Sequence, residues 1–395
     1  MAWYDFLRLI ALLMKITTLY YAVLLLRYGM KTAPIWPAAA PETRFAVVIA
    51  ARNEEAVIER IIHSLQAQNY PKELFDIYVA PNNCTDHTAE AAFRAGAKLL
   101  LCDHAVKNKG DALRQAFCQL SGMHYDAYLV FDADNVVDQN YLCKTNHAFH
   151  SGARVVKGRQ MVLNPKDSWI AGCYDIYFSL FDLLYNRPRA KGGLSAKLIG
   201  TGFAVHDAVL KQLNGWNTET IAEDAEFAAM CAEKGIRVCW APEAITYDEA
   251  PEQFSVSLHQ RKRWCSGVIQ VGRKMLPLLA QSEGKLVLDM CVFLLTAQLQ
   301  PISSLMLAAA EFGALIFNGL NLKSILQTLL FSLSACLGLA AAVQQIERPK
   351  TRRNWHSVLL FPVFMVSWIP LQILGFFHKT TAWREIRHGG KCTES

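Results

Sequence analysis

The sequence predicts an α/β domain built on a parallel β-sheet, with apolar segments at both ends of the chain that could span a membrane. Between residues 45 and 131, short β-rich segments alternate with segments whose apolar side chains recur at helical spacing. Clusters of polar residues come directly after three of the β-rich segments. Such alternation is typical of a parallel sheet covered by helices, and ligands of such sheets bind at the carboxyl ends of the strands.

The predicted elements follow one another with short connections. The strands are FAVVIA at residues 45–50, IYVA at 77–80, a short strand at 98–102 and YLVF at 128–131. The first predicted helix begins near Val57, and the second ends at Gly96. The third covers residues 111–120, after a loop at 107–110. Because the strands are apolar without alternation, both faces of the sheet are expected to be buried.

The two ends of the chain are far more apolar than its centre. Only 19% of the 395 residues are charged, below the usual quarter, yet residues 44–273 have the composition of a soluble domain. The net charge of +6 comes without a basic module that carries interleaved aromatic residues, so nucleic-acid binding is not expected. Basic residues beside apolar helices instead suit the anionic face of a membrane. The scattered cysteines, without a Cys-x-x-Cys pair, favour reduced thiols in a cytosolic domain.

An apolar stretch near the N-terminus, at residues 9–26, has the length of a membrane-spanning helix. A signal peptide cleaved near residues 38–40 is the alternative. The positive charges Arg27 and Lys31, however, follow the apolar core rather than precede it. Because basic flanks favour the inner side of a membrane, we predict an anchor at residues 1–31 and a cytoplasmic central domain.

Three apolar segments follow Lys285, at about residues 286–317, 325–343 and 358–377. The first contains Pro301 and Glu311, and an acid at membrane depth is expected to face protein or water. The linker at 347–353 and the tail from residue 378 are both basic, so both favour the cytoplasm. Three simple crossings cannot place both there. Either the first segment splits at Pro301 or the last segment is re-entrant.

Polar clusters at residues 53–55, 82–86 and 132–134 are predicted to meet at one edge of the sheet. Each cluster alone also suits a turn or a helix cap. The last contains Asp132 and Asp134 directly after a buried strand, and two such carboxylates can hold Mg²⁺ or Mn²⁺. The remaining positions around such a cation go to water and substrate phosphates. We therefore predict a divalent metal at this edge.

Three further motifs follow along the chain. GTGF at residues 200–203 allows close backbone approach to a ligand, or simply a tight turn. TIAED at 220–224 opens a helix, where acids also suit the helix dipole. Gln260, Arg263 and Trp264 lie in a basic, amphipathic stretch, which by composition alone would lie at the membrane surface.

In this order, the motifs resemble those of the family 2 glycosyltransferases, in particular the processive, membrane-embedded branch that includes hyaluronan, chitin, cellulose and poly-N-acetylglucosamine synthases. The motifs are ARNEE, NNCTD, KNKGDAL, DAD, GTGF, AED, Gln-x-x-Arg-Trp and the tail at residues 383–387. The resemblance covers nearly the whole chain. It implies an α/β GT-A (Rossmann-like) domain between transmembrane helices. The predicted parts are the anchor at 1–31, the GT-A domain at 43–253, an interfacial segment at 254–285, transmembrane segments at 286–378 and a basic tail at 379–395.

The resemblance also implies a role for each motif. Ala51, Asn53, Glu55 and Asn82 would flank the uridine and ribose of a UDP-sugar, Lys109 and Asp132 would lie near its phosphates, and Asp134 with Asp132 would hold the metal. Asp224, beside Glu223, would be the general base, while Gly202, Gln260, Arg263 and Trp264 would face the diphosphate and the acceptor. Asn82 departs from the family pattern, which usually has Asp there, and Ala222 replaces the more usual Thr.

The predicted function is that of a membrane-bound, multi-pass hexosyltransferase with Mg²⁺ or Mn²⁺ as cofactor. It would move sugar from UDP-GlcNAc or UDP-Glc, with inversion, to a growing β-linked polysaccharide. Transfer of one sugar to a lipid or lipid-linked acceptor is the alternative. A transporter would not need the central domain, and a regulator without catalysis would not need Asp224 together with Gln-x-x-Arg-Trp. The expected partners are the nucleotide-sugar, the acceptor and the bilayer, without nucleic acid.

Overall fold

A computed structural model describes residues 2–29, 31–103, 106–319, 322–348 and 353–380. The predicted tail motif at 383–387 and part of the basic linker, residues 349–352, lie outside the described residues. In the first half of the central domain, the elements in chain order are β1 (Phe45–Ala51), α3 (Ile58–Gln66), β2 (Phe75–Pro81), α4 (Thr88–Arg94), β3 (Lys98–Leu99), α5 (Lys109–Leu120), β4 (Ala127–Asp132), β5 (Val136–Val137) and α6 (Tyr141–His150). Helices α1 (Trp3–Met14) and α2 (Ile16–Tyr28) precede them.

The second half of the domain contributes the remaining strands and the helices that face the membrane segments. These are β6 (Val155–Val162), α7 (Trp169–Phe181), α8 (Arg187–Gly192), β7 (Phe203–His206), α9 (Asp207–Gln212), α10 (Glu223–Glu233), β8 (Val238–Asp248) and α11 (Phe254–Leu279). A π-helical turn, Asp182–Asn186, joins α7 to α8. The chain then continues into α12 (Lys285–Asn318), α13 (Leu322–Ile346), α14 (Trp355–Val366) and α15 (Trp368–Phe377).

The sheet has eight strands in the order β3-β2-β1-β4-β7-β6-β8-β5. The parallel arrangement predicted for residues 45–132 is confirmed by the pairing of β1 with β2 and β4. Strand β7, however, runs antiparallel to both of its neighbours, β4 and β6, and β5 runs antiparallel to β8. The sheet is therefore mixed. Because β7 is antiparallel, the turn at its start lies beside the end of β4, and Gly202 N donates to Val130 O at 2.9 Å.

Helices cover both faces of the sheet, as the apolar strands require. The α3 side chains Ile58, Ile61, Ile62 and Leu65 are fully buried in the core on one face. Helix α5 packs on the other face through Leu113, Ala116, Phe117 and Leu120. This helix begins two residues earlier than predicted because Asn108 accepts a hydrogen bond from Asp111 N at 3.0 Å and caps it. Lys109 therefore lies in its first turn.

Three helical stretches in the described chain are long and apolar enough to cross a membrane: residues 285–317, 325–346 and 355–377. A fourth is counted if α1 and α2, which are bent by 42° at Lys15, form one broken span. Helix α12 continues through Pro301, so of the two alternatives the split at that proline is wrong. Glu311 of α12 pairs with Arg8 of α1 at 2.9 Å, although 64% of the Glu311 side chain is exposed.

Two buried ion pairs join these candidate membrane helices to the central domain. Arg189 of α8 contacts Asp289 of α12 at 2.9 Å, and Tyr20 of α2 donates to the same carboxylate at 2.9 Å. Arg348, after α13, makes a two-pronged contact with Asp175 of α7 at 2.7 and 2.8 Å. Removing one partner of such a pair would leave an uncompensated buried charge. These contacts therefore fix the helices against the domain.

Candidate functional site

One cavity of about 660 Å³ lies where the strands end and extends to the candidate membrane helices. At the sheet its wall is polar and mostly acidic. Further along, the wall consists of aromatic and aliphatic side chains from α7, α11, α12, α14 and α15. Pockets with a few charged groups at one end of an apolar wall are typical ligand sites.

Acidic side chains at the ends of two strands form the polar floor. Asp132 ends β4, Asp134 follows it, and Asp248 ends β8. Asn135 lies between them and donates to Asp248 Oδ1 at 2.8 Å and to Asp134 Oδ1 at 3.3 Å. Burial and the repulsion of Asp134 and Asp132 raise the pKa of Asp248 well above its usual value. The floor therefore concentrates negative charge at one place.

Two lysines partly balance this charge. Lys109 Nζ contacts the carboxylate of Asp132 and the carbonyl of Gly200. Burial alone would lower the pKa of Lys109, but attraction to Asp132 and Glu223 outweighs it and the pKa is raised. Lys157 Nζ donates to Thr201 O at 2.8 Å, and burial lowers its pKa to about 8. Both ammonium groups thus have oxygen partners within the protein.

A pair of acids at the start of α10 forms the next part of the wall. Glu223 is buried, and this burial together with repulsion from Asp224 raises its pKa to about 7. Both carboxylate oxygens of Asp224 accept backbone hydrogen bonds, from Gly200 N at 2.6 Å and from Ala225 N at 2.7 Å. Asp224 is therefore held against the turn that precedes β7.

Helix α11 supplies the wall between the acids and the membrane helices. Gln260 accepts a hydrogen bond from the Tyr174 hydroxyl at 2.9 Å. The Trp264 ring stacks with that of Trp368 at 6.3 Å between centroids. Arg263 lines the cavity, and its guanidinium has no ion pair or hydrogen bond within the described residues. Lys262, its neighbour, does not line the cavity.

Arg261 is an exception to the membrane-surface location that the composition of this amphipathic stretch predicts. Its side chain is fully buried and donates to Ser367 Oγ at 2.8 Å and to Phe364 O at 3.1 Å. The guanidinium also lies 4.2 Å from the Phe364 ring centroid. Arg261 thus ties α11 to α14 and α15 rather than to lipid headgroups.

The structure brings most of the predicted site residues together in this cavity. Those that line it are Asn82, Lys109, Asp132, Asp134, Glu223, Asp224, Gln260, Arg263 and Trp264. Four others do not line it, namely Ala51, Asn53, Glu55 and Gly202.

The four predicted residues that do not line the cavity stabilise the loops that do. In the first motif, residues 50, 52 and 54 line the cavity instead, since the chain bends after β1 and Asn53 has a φ of +56°. Asn53 Oδ1 accepts from Thr85 N at 2.8 Å, and Glu55 Oε2 accepts from His87 N at 3.1 Å. These bonds hold the loop after β2 in place.

Ala51 and Gly202 act through their backbones. The Ala51 carbonyl accepts from both Asn82 N and Asn82 Nδ2, at 2.9 and 3.0 Å. Gly202 has a φ of +60°, and a Cβ there would lie 2.9 Å from Thr246 Oγ1. Glycine therefore lets the turn approach β8.

Several residues of the cavity were missed by sequence reasoning. Asp248 ends β8 and Glu249 follows it, so the rule that located Asp132 and Asp134 could have found them. Lys197 and Tyr177 lie in segments without a recognisable pattern, and only the fold brings them to the cavity.

Comparison with known proteins agrees with this architecture. Residues 41–267 match the model of the family described as glycosyltransferase like family 2. The chain is similar to a probable glycosyltransferase, YdaM, of Bacillus subtilis, with 26% identity over 85% of this chain and 82% of that protein. It is 27% identical to a beta-monoglucosyldiacylglycerol synthase of Nostoc sp., over 66% of this chain and 57% of that protein. A poly-beta-1,6-N-acetyl-D-glucosamine synthase of Staphylococcus aureus is 24% identical over 56% of this chain and 53% of its own length. The chain thus spans little more than half of these last two relatives.

Among solved structures, the mannosyltransferase PcManGT from Pyrobaculum calidifontis, in complex with GDP-Man and Mn²⁺, superposes with a TM-score of 0.63. It is 20% identical, and the match covers 93% of this chain and 99% of that one. At this identity the likeness shows the fold, which is the predicted GT-A fold with additional apolar helices.

Proposed function

The chain belongs to glycosyltransferase family 2, and we propose that it transfers a sugar from a UDP-sugar, with inversion, to a lipid or lipid-linked acceptor that enters from the bilayer. One observation carries the choice of acceptor: the cavity that contains the acids continues between the membrane helices. Its wall there includes Val268, Ile269, Phe293, Ala297, Met365 and Ile369. Such a wall suits an apolar chain better than a hydrated glycan.

The donor would bind at the ends of β1, β2 and β4. Asn82 Nδ2 donates to Ala51 O, so the amide oxygen is the atom left for a ligand. That oxygen can accept a hydrogen bond from a base edge as an aspartate would. The departure from the family pattern at this position is therefore compatible with a uracil base. Arg263, which has no partner in the described chain, would hold the diphosphate through its planar fork.

The acidic floor fits a divalent cation. Among the described residues, no three histidine, cysteine, aspartate or glutamate side chains form a metal site by themselves. Asp134 and Asp132 would therefore supply part of the ligands and leave positions for phosphate oxygens. When bound, the cation supplies Lewis-acid stabilisation of the charge on the leaving diphosphate. The crowding that raises the pKa of Asp248 supports this assignment, as does the Mn²⁺ bound by PcManGT.

Asp224 would act as the general base. Its carboxylate is fixed by the two backbone hydrogen bonds to Gly200 and Ala225, between the donor end and the membrane end of the cavity wall. From there it can take the proton of an acceptor hydroxyl that attacks the anomeric carbon. A single displacement converts an α-linked donor into a β-glycoside.

The contacts of α14 and α15 support a topology that satisfies the basic linker and tail. Before α14, Asn354 Nδ2 donates to Pro165 O of the central domain at 3.0 Å. After α15, Thr380 N donates to Ser266 Oγ of α11 at 2.9 Å. Because the chain contacts the domain before α14 and contacts α11 again after α15, the α14–α15 pair enters and leaves on the same side and does not cross the bilayer. We therefore assign the crossings to α12, α13 and the α1–α2 pair, with the domain and tail in the cytoplasm.

Radiolabelled UDP-sugars test the proposal with the full chain in lipid nanodiscs and Mn²⁺ or Mg²⁺. Label that moves into the organic phase as a single small product would support the lipid acceptor. A polydisperse product that stays out of the organic phase would instead establish the polymer synthesis predicted by the resemblance. Absence of transfer from every UDP-sugar would refute a UDP-sugar donor.

A further inference from the structure

Lys197 differs from Lys109, which lines the same cavity, and from Lys157, which is buried beside it. Lys109 and Lys157 both donate to protein oxygens. Within the described chain, Lys197 Nζ has neither a hydrogen-bond acceptor nor a carboxylate partner, although it lines the same cavity. A desolvated ammonium group without an oxygen partner is costly unless a ligand supplies one. The Lys197 ammonium group is therefore available to bind an anion.

The surroundings of Lys197 hold its side chain in one place. Its Nζ lies 5.0 Å from the ring centroid of Phe181 and 5.2 Å from that of Phe293. Its backbone N donates to Asn186 Oδ1 at 3.1 Å, which fixes the segment against the π-helical turn. Ring faces attract a cation but cannot replace an oxygen ligand. They therefore position the ammonium without neutralising it.

Lys197 lies against helices α7 and α12 on its side of the cavity. Phe293 belongs to α12, a membrane helix, and Phe181 ends α7, which packs against α14. The phosphate-binding groups of the donor, in contrast, lie at the strand ends around Asp132 and at Arg263. Attraction by Asp224 opposes the lowering of the Lys197 pKa by burial. Lys197 and Asp224 line the same cavity, so one acceptor molecule in that cavity can contact both.

We propose that Lys197 binds a phosphate group carried by the acceptor lipid, so that the enzyme selects anionic, phosphate-bearing acceptors over neutral ones such as diacylglycerol. This inference rests on the proposed lipid acceptor. The phosphate would contact the Lys197 ammonium between the rings of Phe181 and Phe293, and the apolar chain would follow the cavity towards α12 and α15. The hydroxyl to be glycosylated would then lie beside Asp224.

Binding of defined lipids tests this assignment without any need for sugar transfer. The full chain is placed in phosphatidylcholine nanodiscs that contain either phosphatidic acid or diacylglycerol, with the same brominated acyl chains. Quenching of tryptophan fluorescence reports binding, because Trp264 and Trp368 line the cavity. We expect phosphatidic acid to bind about tenfold or more tightly than diacylglycerol, the ratio that one hydrogen bond to a charged group confers.

Two substitutions locate the effect. Lys197→Met should reduce the preference for phosphatidic acid about tenfold or more, while Lys197→Arg should keep most of it. Since Lys197→Met removes a desolvated charge without an ion-pair partner, the variant is expected to fold with an unchanged or higher melting temperature. Lys211→Met is the matched control, because Lys211 is 75% exposed on α9, and it should leave the preference unchanged.

The possible results separate this inference from its alternatives and from the proposed function. Equal binding of both lipids by the wild type, or an unchanged preference in Lys197→Met, would overturn it. A parallel loss of UDP affinity in Lys197→Met, measured by calorimetry with Mn²⁺, would show that the anion is the donor diphosphate instead. Failure of sugar transfer with intact phosphatidic acid selectivity would count against the proposed function alone.

Discussion

Replacement of Asp224 by asparagine removes a proton acceptor while it keeps the shape of the side chain. Both Asp224 oxygens accept backbone hydrogen bonds, at 2.6 and 2.7 Å, so the new amide nitrogen must face one N–H donor. The loss of one such bond costs about 1–3 kcal/mol, which a domain with about 5–15 kcal/mol of stability tolerates. Loss of a general base lowers turnover about 10²-fold or more, equivalent to about 2.7 kcal/mol in the barrier. We therefore expect a folded enzyme with severely reduced kcat.

The assay compares UDP release in the presence of acceptor with UDP-sugar affinity measured by calorimetry. The Asp224→Asn variant should lose turnover while its donor affinity stays within a few-fold of the wild type, because Asp224 is assigned to the acceptor side. Glu233→Gln is the control, since Glu233 lies on the same helix and pairs with Lys234 away from the cavity. Turnover near the wild-type value in Asp224→Asn would show that this carboxylate only stabilises the start of α10. The general base would then lie elsewhere.

Three further predictions follow from the same structure. EDTA should abolish the activity of the wild type and Mg²⁺ or Mn²⁺ should restore it, while Asp134→Ala should stay inactive with either metal. Undiminished activity of Asp134→Ala in EDTA would contradict the metal site. Arg263→Lys should lower kcat/KM about tenfold or more because lysine lacks the planar fork that binds phosphate, whereas Lys262→Ala should stay largely active. Both variants should still sediment with membranes. Equal and mild losses of activity in both would indicate that the motif only anchors the protein to the membrane. A reporter that fluoresces only in the cytoplasm should be bright when fused after Thr380 and dark when fused after Gly319, and the reverse pattern would refute the proposed crossings.

The acids of the site could be predicted from sequence because the rule behind them is local. A buried strand has a recognisable composition, and a parallel sheet brings the ends of its strands to one edge. Asp132 ends β4 and Asp134 follows it, so their meeting with Asn82 after β2 required no knowledge of side-chain packing. The same reasoning extends to Asp248 at the end of β8, although that strand was not identified in advance.

Other features depended on contacts between distant segments. The antiparallel direction of β7 is set by its partners β4 and β6, and no property of residues 203–206 alone specifies it. In the first motif, residues 50, 52 and 54 line the cavity. The direction in which each of these side chains points depends on where strand β1 ends. Burial of Arg261 requires the backbone carbonyl of Phe364, about a hundred residues away. The composition of the stretch alone does not predict this burial.

The anomeric configuration of the product tests the central claim most directly. The claim is a single displacement, in which an acceptor activated by Asp224 attacks the face opposite the leaving diphosphate. The product of the wild-type enzyme with an α-linked UDP-sugar can be isolated and its anomeric proton coupling measured by NMR. A β-glycoside is the result that this account predicts. An α-glycoside would contradict it, because retention requires a second nucleophilic step that the proposed role of Asp224 does not include.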